Sequence, residues 1–134
     1  MTVLDAGVVI AILDDADAHH EAAKAALSAA RTVDELVLPA SAYAEILVLP
    51  SRLGRDAVDR TDEFVDTLPA RIEPISRGIA RAAARLRAGR GKRLKLADAL
   101  VIATAEVMEA DRILTTDRGW PDVAISVEIV GAAA

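Results

Sequence analysis

The sequence predicts an α/β fold: one domain with a central parallel sheet of about five short strands flanked by helices. Short β-branched or aliphatic runs alternate with longer helical stretches along the whole chain. The 134 residues suffice for one core and are too few for two. Acidic residues follow strand-like runs directly, where an open parallel sheet places its polar functional groups.

Thr2 to Leu4 is a β-branched strand, and Gly7 to Leu13 continues as a helix. His19 to Ala30 is Ala-rich and helical, Leu36 to Leu38 is a strand, and Ser41 to Leu49 is helical. Pro50 marks a break, and Asp56 to Leu68 forms the next helix. Arg71 to Ile75 is a strand, Arg77 to Ala88 a helix, Gly89 to Lys92 a loop and Lys95 to Ala110 a helix. Arg112 to Thr115 and Val127 to Val130 supply the last strands. The domain spans residues 1–130, and residues 131–134 are an expendable tail.

Composition narrows the chemistry. The chain is 53% hydrophobic and contains no cysteine, which excludes disulfides, thiolate zinc sites and cysteine nucleophiles and fits a reducing cytoplasm. Its first apolar stretch lacks a basic flank and is interrupted by Asp5, so it reads as neither a secretory signal nor a membrane span.

Asp5 is the one polar side chain between Val3 and Leu13. Burying such a carboxylate without a partner costs several kcal/mol. Glu45 lies in the apolar run Leu38 to Leu49, Asp98 in Leu94 to Ala103, and Asp117 ends Ile113-Leu114-Thr115-Thr116-Asp117. Asp5 and Asp117 follow strands, and Asp98 falls in the first turn of its helix, where the dipole favours an anion. Its neighbours at i+3, i+4 and i+7 are Val101, Ile102 and Ala105, a packed face. Glu45 shares a helix face with Ser41. Like charges about 4 Å apart repel by roughly 4 kcal/mol at an effective dielectric near 20, so gathered acids call for a cation. Mg²⁺ or Mn²⁺ suits them, because hard cations prefer carboxylate and water oxygens. Singly, Asp98 could be a helix cap, Asp117 a turn residue and Glu45 a solvated edge residue. Asp5 fits such a role least, since Asp-Ala-Gly between a strand and an apolar helix has no turn to make.

The net charge of −5 is unevenly spread. Arg77, Arg81, Arg85, Arg87, Arg90, Lys92, Arg93 and Lys95 supply eight of the sixteen Lys and Arg in a segment without acids. Such a patch either contacts phosphate or an acidic partner, or forms a solvated helix face.

These residues together carry a resemblance. Val3-Leu4-Asp5-Ala6-Gly7-Val8-Val9-Ile10, Ser41-Ala42-Tyr43-Ala44-Glu45-Ile46-Leu47, Leu96 to Ala105 and Ile113 to Asp117 look like the motifs of PIN-domain ribonucleases. Within these the chain most resembles the VapC-type toxins of bacterial toxin–antitoxin pairs, over nearly its whole length. The resemblance implies a Mg²⁺- or Mn²⁺-dependent endoribonuclease that forms a homodimer and is inhibited by a cognate antitoxin. It carries the catalytic quartet to Asp5, Glu45, Asp98 and Asp117, with Asp5, Asp98 and Asp117 holding metal. Ser41 and a hydroxyl at Thr115 or Thr116 take supporting roles, while Arg81, Arg85 and Lys92 are candidates for RNA contact.

His19 and His20 begin an Ala-rich helix and read as surface or capping residues. Trp120 reads as packing or a loop anchor, with stacking on a base as the functional alternative. A dehalogenase-like phosphatase would want a second Asp at position 7, which is Gly7. A receiver-type phospho-acceptor would want a Lys after a late strand, and none stands there. A metal-binding interaction module of the same fold is the non-enzymatic alternative.

Overall fold

The computed structural model describes residues 1–90 and 93–131. Strand β1 (Thr2–Leu4) lies at the centre of a five-stranded sheet, between β2 (Leu36–Pro39) and β4 (Arg112–Thr115). Beyond them lie β3 (Ala70–Glu73) and β5 (Ser126–Ile129), giving the order β3-β2-β1-β4-β5 with every pair parallel. The apolar runs of β1 and β2 are buried throughout, whereas the edge strands β3 and β5 are partly exposed. Strands covered on both faces read as continuous apolar runs. The winding leaves β1 outward through β2 and β3, then restarts on the other side at β4. The switch point therefore falls between β1 and β4, and their carboxyl ends flank a natural crevice.

Six helices cover the sheet: α1 (Ala6–Leu13), α2 (His20–Val33), α3 (Ala40–Leu53), α4 (Arg55–Thr67), α5 (Arg77–Arg90) and α6 (Leu96–Val107). Helix α6 buries Ala99, Val101, Ile102, Ala103, Thr104 and Ala105 against β1, β2 and β4. Leu4, Leu36, Leu38, Ile102, Ile113 and Leu114 are fully buried and form the centre of the core.

Several element boundaries depart from the sequence reading: α2 runs to Val33 rather than Ala30, β3 spans Ala70–Glu73 rather than Arg71 to Ile75, and α3, α5 and α6 end later or earlier than read. Pro50 does not end its helix: α3 continues to Leu53, forfeiting the hydrogen bond that Pro50 cannot donate, and the turn closes with the Gly54 N–H donating to the Pro50 carbonyl at 3.1 Å. That last turn lies against α4, where Leu49, Pro50 and Leu53 meet Ala57, Arg60 and Thr61, while the Tyr43 hydroxyl donates to Asp62 at 2.6 Å at the other end of the helix pair. Gly54, with φ of 119°, then ends the helix in a backbone conformation that glycine adopts without strain. Helix α5 absorbs Gly89 and Arg90, which the sequence reads as loop; Lys92 lies outside the described residues. Helix α6 stops at Val107 rather than Ala110. Its end is a Schellman turn, with the Ala110 N–H donating to the Ala105 carbonyl and Glu109 at φ 54°. Glu109 takes the position usually held by glycine, so the sequence shows no stop signal there.

Candidate active site

The crevice at the switch point is built from the strand ends outward. Register pairs Leu4 with Leu114, so Asp5 emerges opposite Thr115. The Asp5 N–H donates to the Leu114 carbonyl at 2.9 Å, prolonging the β1–β4 ladder by one residue. Asp5 also caps α1: its Oδ1 accepts from the Ala6 N–H at 2.9 Å. Its Oδ2 accepts from the Thr115 hydroxyl at 2.7 Å, and Thr115 Oγ1 in turn accepts the Asp117 N–H at 3.0 Å. One buried hydroxyl thus fixes both strand-end acids. Asp117 Oδ1 accepts from the Gly119 N–H at 2.7 Å, which anchors the turn after β4. Gly7 is needed where α1 passes β4, since a Cβ there would collide with Thr116 Oγ1.

Glu45 reaches the crevice from α3, which follows β2, and Asp98 from the first turn of α6. Val101, Ile102 and Ala105 are buried, so the face below Asp98 is packed as its spacing indicates. Ser41, one turn before Glu45, holds a buried hydroxyl without a partner among the described residues.

The four acids feel one another. Asp5 is only 8% exposed, and burial pushes its carboxyl up from the ordinary value; the nearby Asp117 charge adds to this, against the hydrogen bonds from Thr115 and Ala6. Glu45 is raised by desolvation, then by Asp5 and Asp98. Asp98 is raised by desolvation, then by Asp5 and Asp117. Lys95 opposes the shift at both Glu45 and Asp98, a role its place in a basic run does not disclose. The Trp120 indole also steadies charged Asp98 as a neighbouring donor, its buried Nε1 having no hydrogen-bond partner among the described residues.

The acids stand within Coulombic reach of each other without closing up. Among the described residues, no three Asp, Glu or His side chains come together tightly enough to hold a metal ion. The donor set nevertheless fits a hard divalent cation: all-oxygen ligands from separate elements, three of them disfavouring their own charge. His19 and His20 lie away from this donor set. The His19 N–H donates to Asp17, and His20 Nδ1 pairs with the Ala11 carbonyl at 2.8 Å.

Arg77, Arg81 and Arg85 are exposed on α5 and take part in no ion pair among the described residues. Arg87 instead donates to the Leu94 carbonyl at 3.0 Å, bracing the connection from α5 to α6.

A five-stranded parallel sheet flanked by helices, with acidic residues at the carboxyl ends of β1 and β4 beside its switch point, defines the class of α/β domain. The PIN-domain family profile matches residues 2–126, and the chain belongs to that family. A sequence search among curated proteins returns no significant match. Among solved structures the fold is similar to VapC20 of Mycobacterium tuberculosis, a sarcin–ricin-loop-cleaving toxin. That match has 16% identity and a TM-score of 0.68, over 84% of this chain and 87% of the other. FitAcB of Neisseria gonorrhoeae matches at 23% identity and a TM-score of 0.69, over 89% of each chain. VapBC2 of Rickettsia felis, bound to promoter DNA, matches at 12% identity and a TM-score of 0.75, over 96% of this chain and 98% of that one.

Proposed function

We propose that this PIN domain is a divalent-cation-dependent endoribonuclease, the toxin of a toxin–antitoxin pair. The observation that carries the reading is the gathering of Asp5, Glu45, Asp98 and Asp117 from separate elements at the crevice between β1 and β4, where burial and then neighbouring carboxylates raise the first three. Asp5, Asp98 and Asp117 would hold Mg²⁺ or Mn²⁺, with Glu45 as a further ligand or as the group that orients the attacking water. When bound, the ion supplies Lewis acidity toward a phosphate and a water of lowered pKa. Thr115 holds Asp5 and Asp117 in fixed relation, so the crevice is assembled before substrate arrives. Glu45, whose carboxyl is raised by burial and then by Asp5 and Asp98, is suited to accept a proton from water. Arg81 and Arg85 would meet the RNA backbone, together with Lys92.

A protein partner has support of its own. Leu49 and Leu53 on α3 are 62% and 72% exposed, and with Leu13 and Ala57 they line a recess of about 280 Å³ between α1, α3 and α4. Such a surface suits the apolar side chains of an antitoxin or of a second copy of the chain. The solved structures of similar fold include toxin–antitoxin complexes, one of them from Klebsiella pneumoniae. Among the described residues, no helix is long and apolar enough to cross a membrane.

The test is cleavage of mixed-sequence RNA by the purified chain in Mn²⁺, Mg²⁺ or EDTA, compared with Asp5→Asn and Asp98→Asn. Cleavage should require the cation and fall by about 10²-fold or more in each variant. Asp5→Asn should melt no lower than wild type without metal. Cation-independent cleavage, or full activity in either variant, overturns the reading; a cation-binding chain that cuts no RNA is an interaction module instead.

A further inference from the structure

A second recess adjoins the acids on the β5 side. It encloses about 260 Å³ and runs from Asp117 along Trp120 and Pro121 to Val123, Val127 and Ile129. That is just below the roughly 300–1,000 Å³ of sites for drug-sized ligands, a space for one planar ring system. Trp120 is the wall shared by the two sites: it neighbours Asp98 on one side and lines the recess on the other. β5 is the edge strand of the sheet, so among the described residues no further strand covers this wall, and Ile129 is left 44% exposed.

The chemistry of the lining selects among the parts of a nucleotide. Asp117 and Asp122 stand against one cation, Arg118, so a phosphate inside the recess would be repelled. A neutral ring is not. The floor offers an indole, a proline and branched aliphatics, the surfaces on which unpaired bases stack. Because Asp117 forms one end, a base next to a phosphate held at the acids lies within reach of the recess. The exposed leucines of α3 belong to a different surface, which leaves this one to the substrate.

We propose that the recess beside Trp120 receives one base of the RNA flanking the scissile phosphate and so sets the sequence at which the chain cuts, a proposal that rests on the nuclease reading above. Trp120 would stack on that base, and Val127 and Ile129, two residues apart on one face of β5, would limit its size.

Trp120 is the only tryptophan in the chain, so its fluorescence reports on the wall between the acids and the recess, and filling the recess separates the two contributions. Single-base RNA oligomers are titrated into the full chain in Ca²⁺, which neutralises the acids while hydrolysis is checked on gels. One base type should quench the emission most strongly, and Ile129→Phe, which fills the recess without adding a competing fluorophore, should abolish that quenching. Cut sites in mixed-sequence RNA are then mapped in Mn²⁺. Wild type should favour the same base beside the cut, and Ile129→Phe should lose roughly 5- to 150-fold at favoured sites, the equivalent of one base stack, with little change elsewhere. Val127→Phe fills the same space and should act alike, which guards against a folding defect peculiar to either variant. Absence of quenching by every oligomer, or an unchanged cut-site preference in both filled variants, overturns the proposal. Quenching without cleavage would leave the recess as a base site and remove the nuclease reading instead.

Discussion

Thr115→Val isolates the contact that ties the two strand-end acids. Valine keeps the shape of threonine, so the fully buried site gains no cavity, but it can neither donate to Asp5 nor accept from Asp117. A hydrogen bond to a charged group contributes about 1.5–3 kcal/mol, and the backbone bond from Asp117 about 0.5–1.5 kcal/mol. The expected loss is about 2–4 kcal/mol at pH 7 in the absence of divalent cations. At roughly 3–4 °C per kcal/mol for a chain of this length, the melting temperature should fall by about 6–16 °C. Urea unfolding of wild type, Thr115→Val, Asp5→Asn and the double variant completes a cycle that assigns the loss. The hydroxyl should matter far less once residue 5 is uncharged. A single variant within about 0.5 kcal/mol of wild type, or an undiminished loss when Thr115→Val is added to Asp5→Asn, would refute the reasoning.

Three other outcomes follow from the same geometry. The folded values of Asp5, Glu45 and Asp98 lie above their unfolded ones, so the folded state binds more protons than the unfolded. Their contribution to stability is complete below the unfolded values of 3.8 and 4.5 and is lost as pH rises through the folded ones. Asp34, lowered by its hydrogen bond from Thr2, works in the opposite sense. Denaturant midpoints without metal should therefore rise, as pH falls from neutrality toward the unfolded value of 4.5, by more in wild type than in Glu45→Gln/Asp98→Asn, and saturating Mn²⁺ should reduce the difference. Gly7→Ala should cost about 1–3 kcal/mol through collision with Thr116 Oγ1, and Thr116→Ala in the same chain should recover most of it; no rescue in thermal melts would place the strain elsewhere. Arg81→Ala and Arg85→Ala should each weaken RNA binding about equally for different sequences and lower the slope of log affinity against log salt by up to about 0.7–0.9. An unchanged slope with a lost dimer in sedimentation would assign these residues to an interface.

Sequence periodicity locates the strands and most helices to within a few residues because those signals are local. A three-residue apolar strand ending at Asp5, or a helix whose buried face begins at Asp98, is written in neighbouring residues. The oddity of four acids in apolar runs is equally local, and it marks the crevice without any knowledge of the tertiary fold. What neighbouring residues cannot encode is which strand lies beside which. That depends on how six helices share the two faces of one sheet, a long-range packing choice that set β4 against β1 and so brought Thr115 to Asp5 across 110 positions of sequence. The same closure put Lys95 near Glu45, stood Trp120 between Asp98 and the β5 recess, and laid the last turn of α3, beyond Pro50, against α4. Charge and hydropathy could name the acids one at a time. Only the tertiary structure could decide how strongly they act on one another, because Coulomb energy depends on separations and burial that no single segment contains.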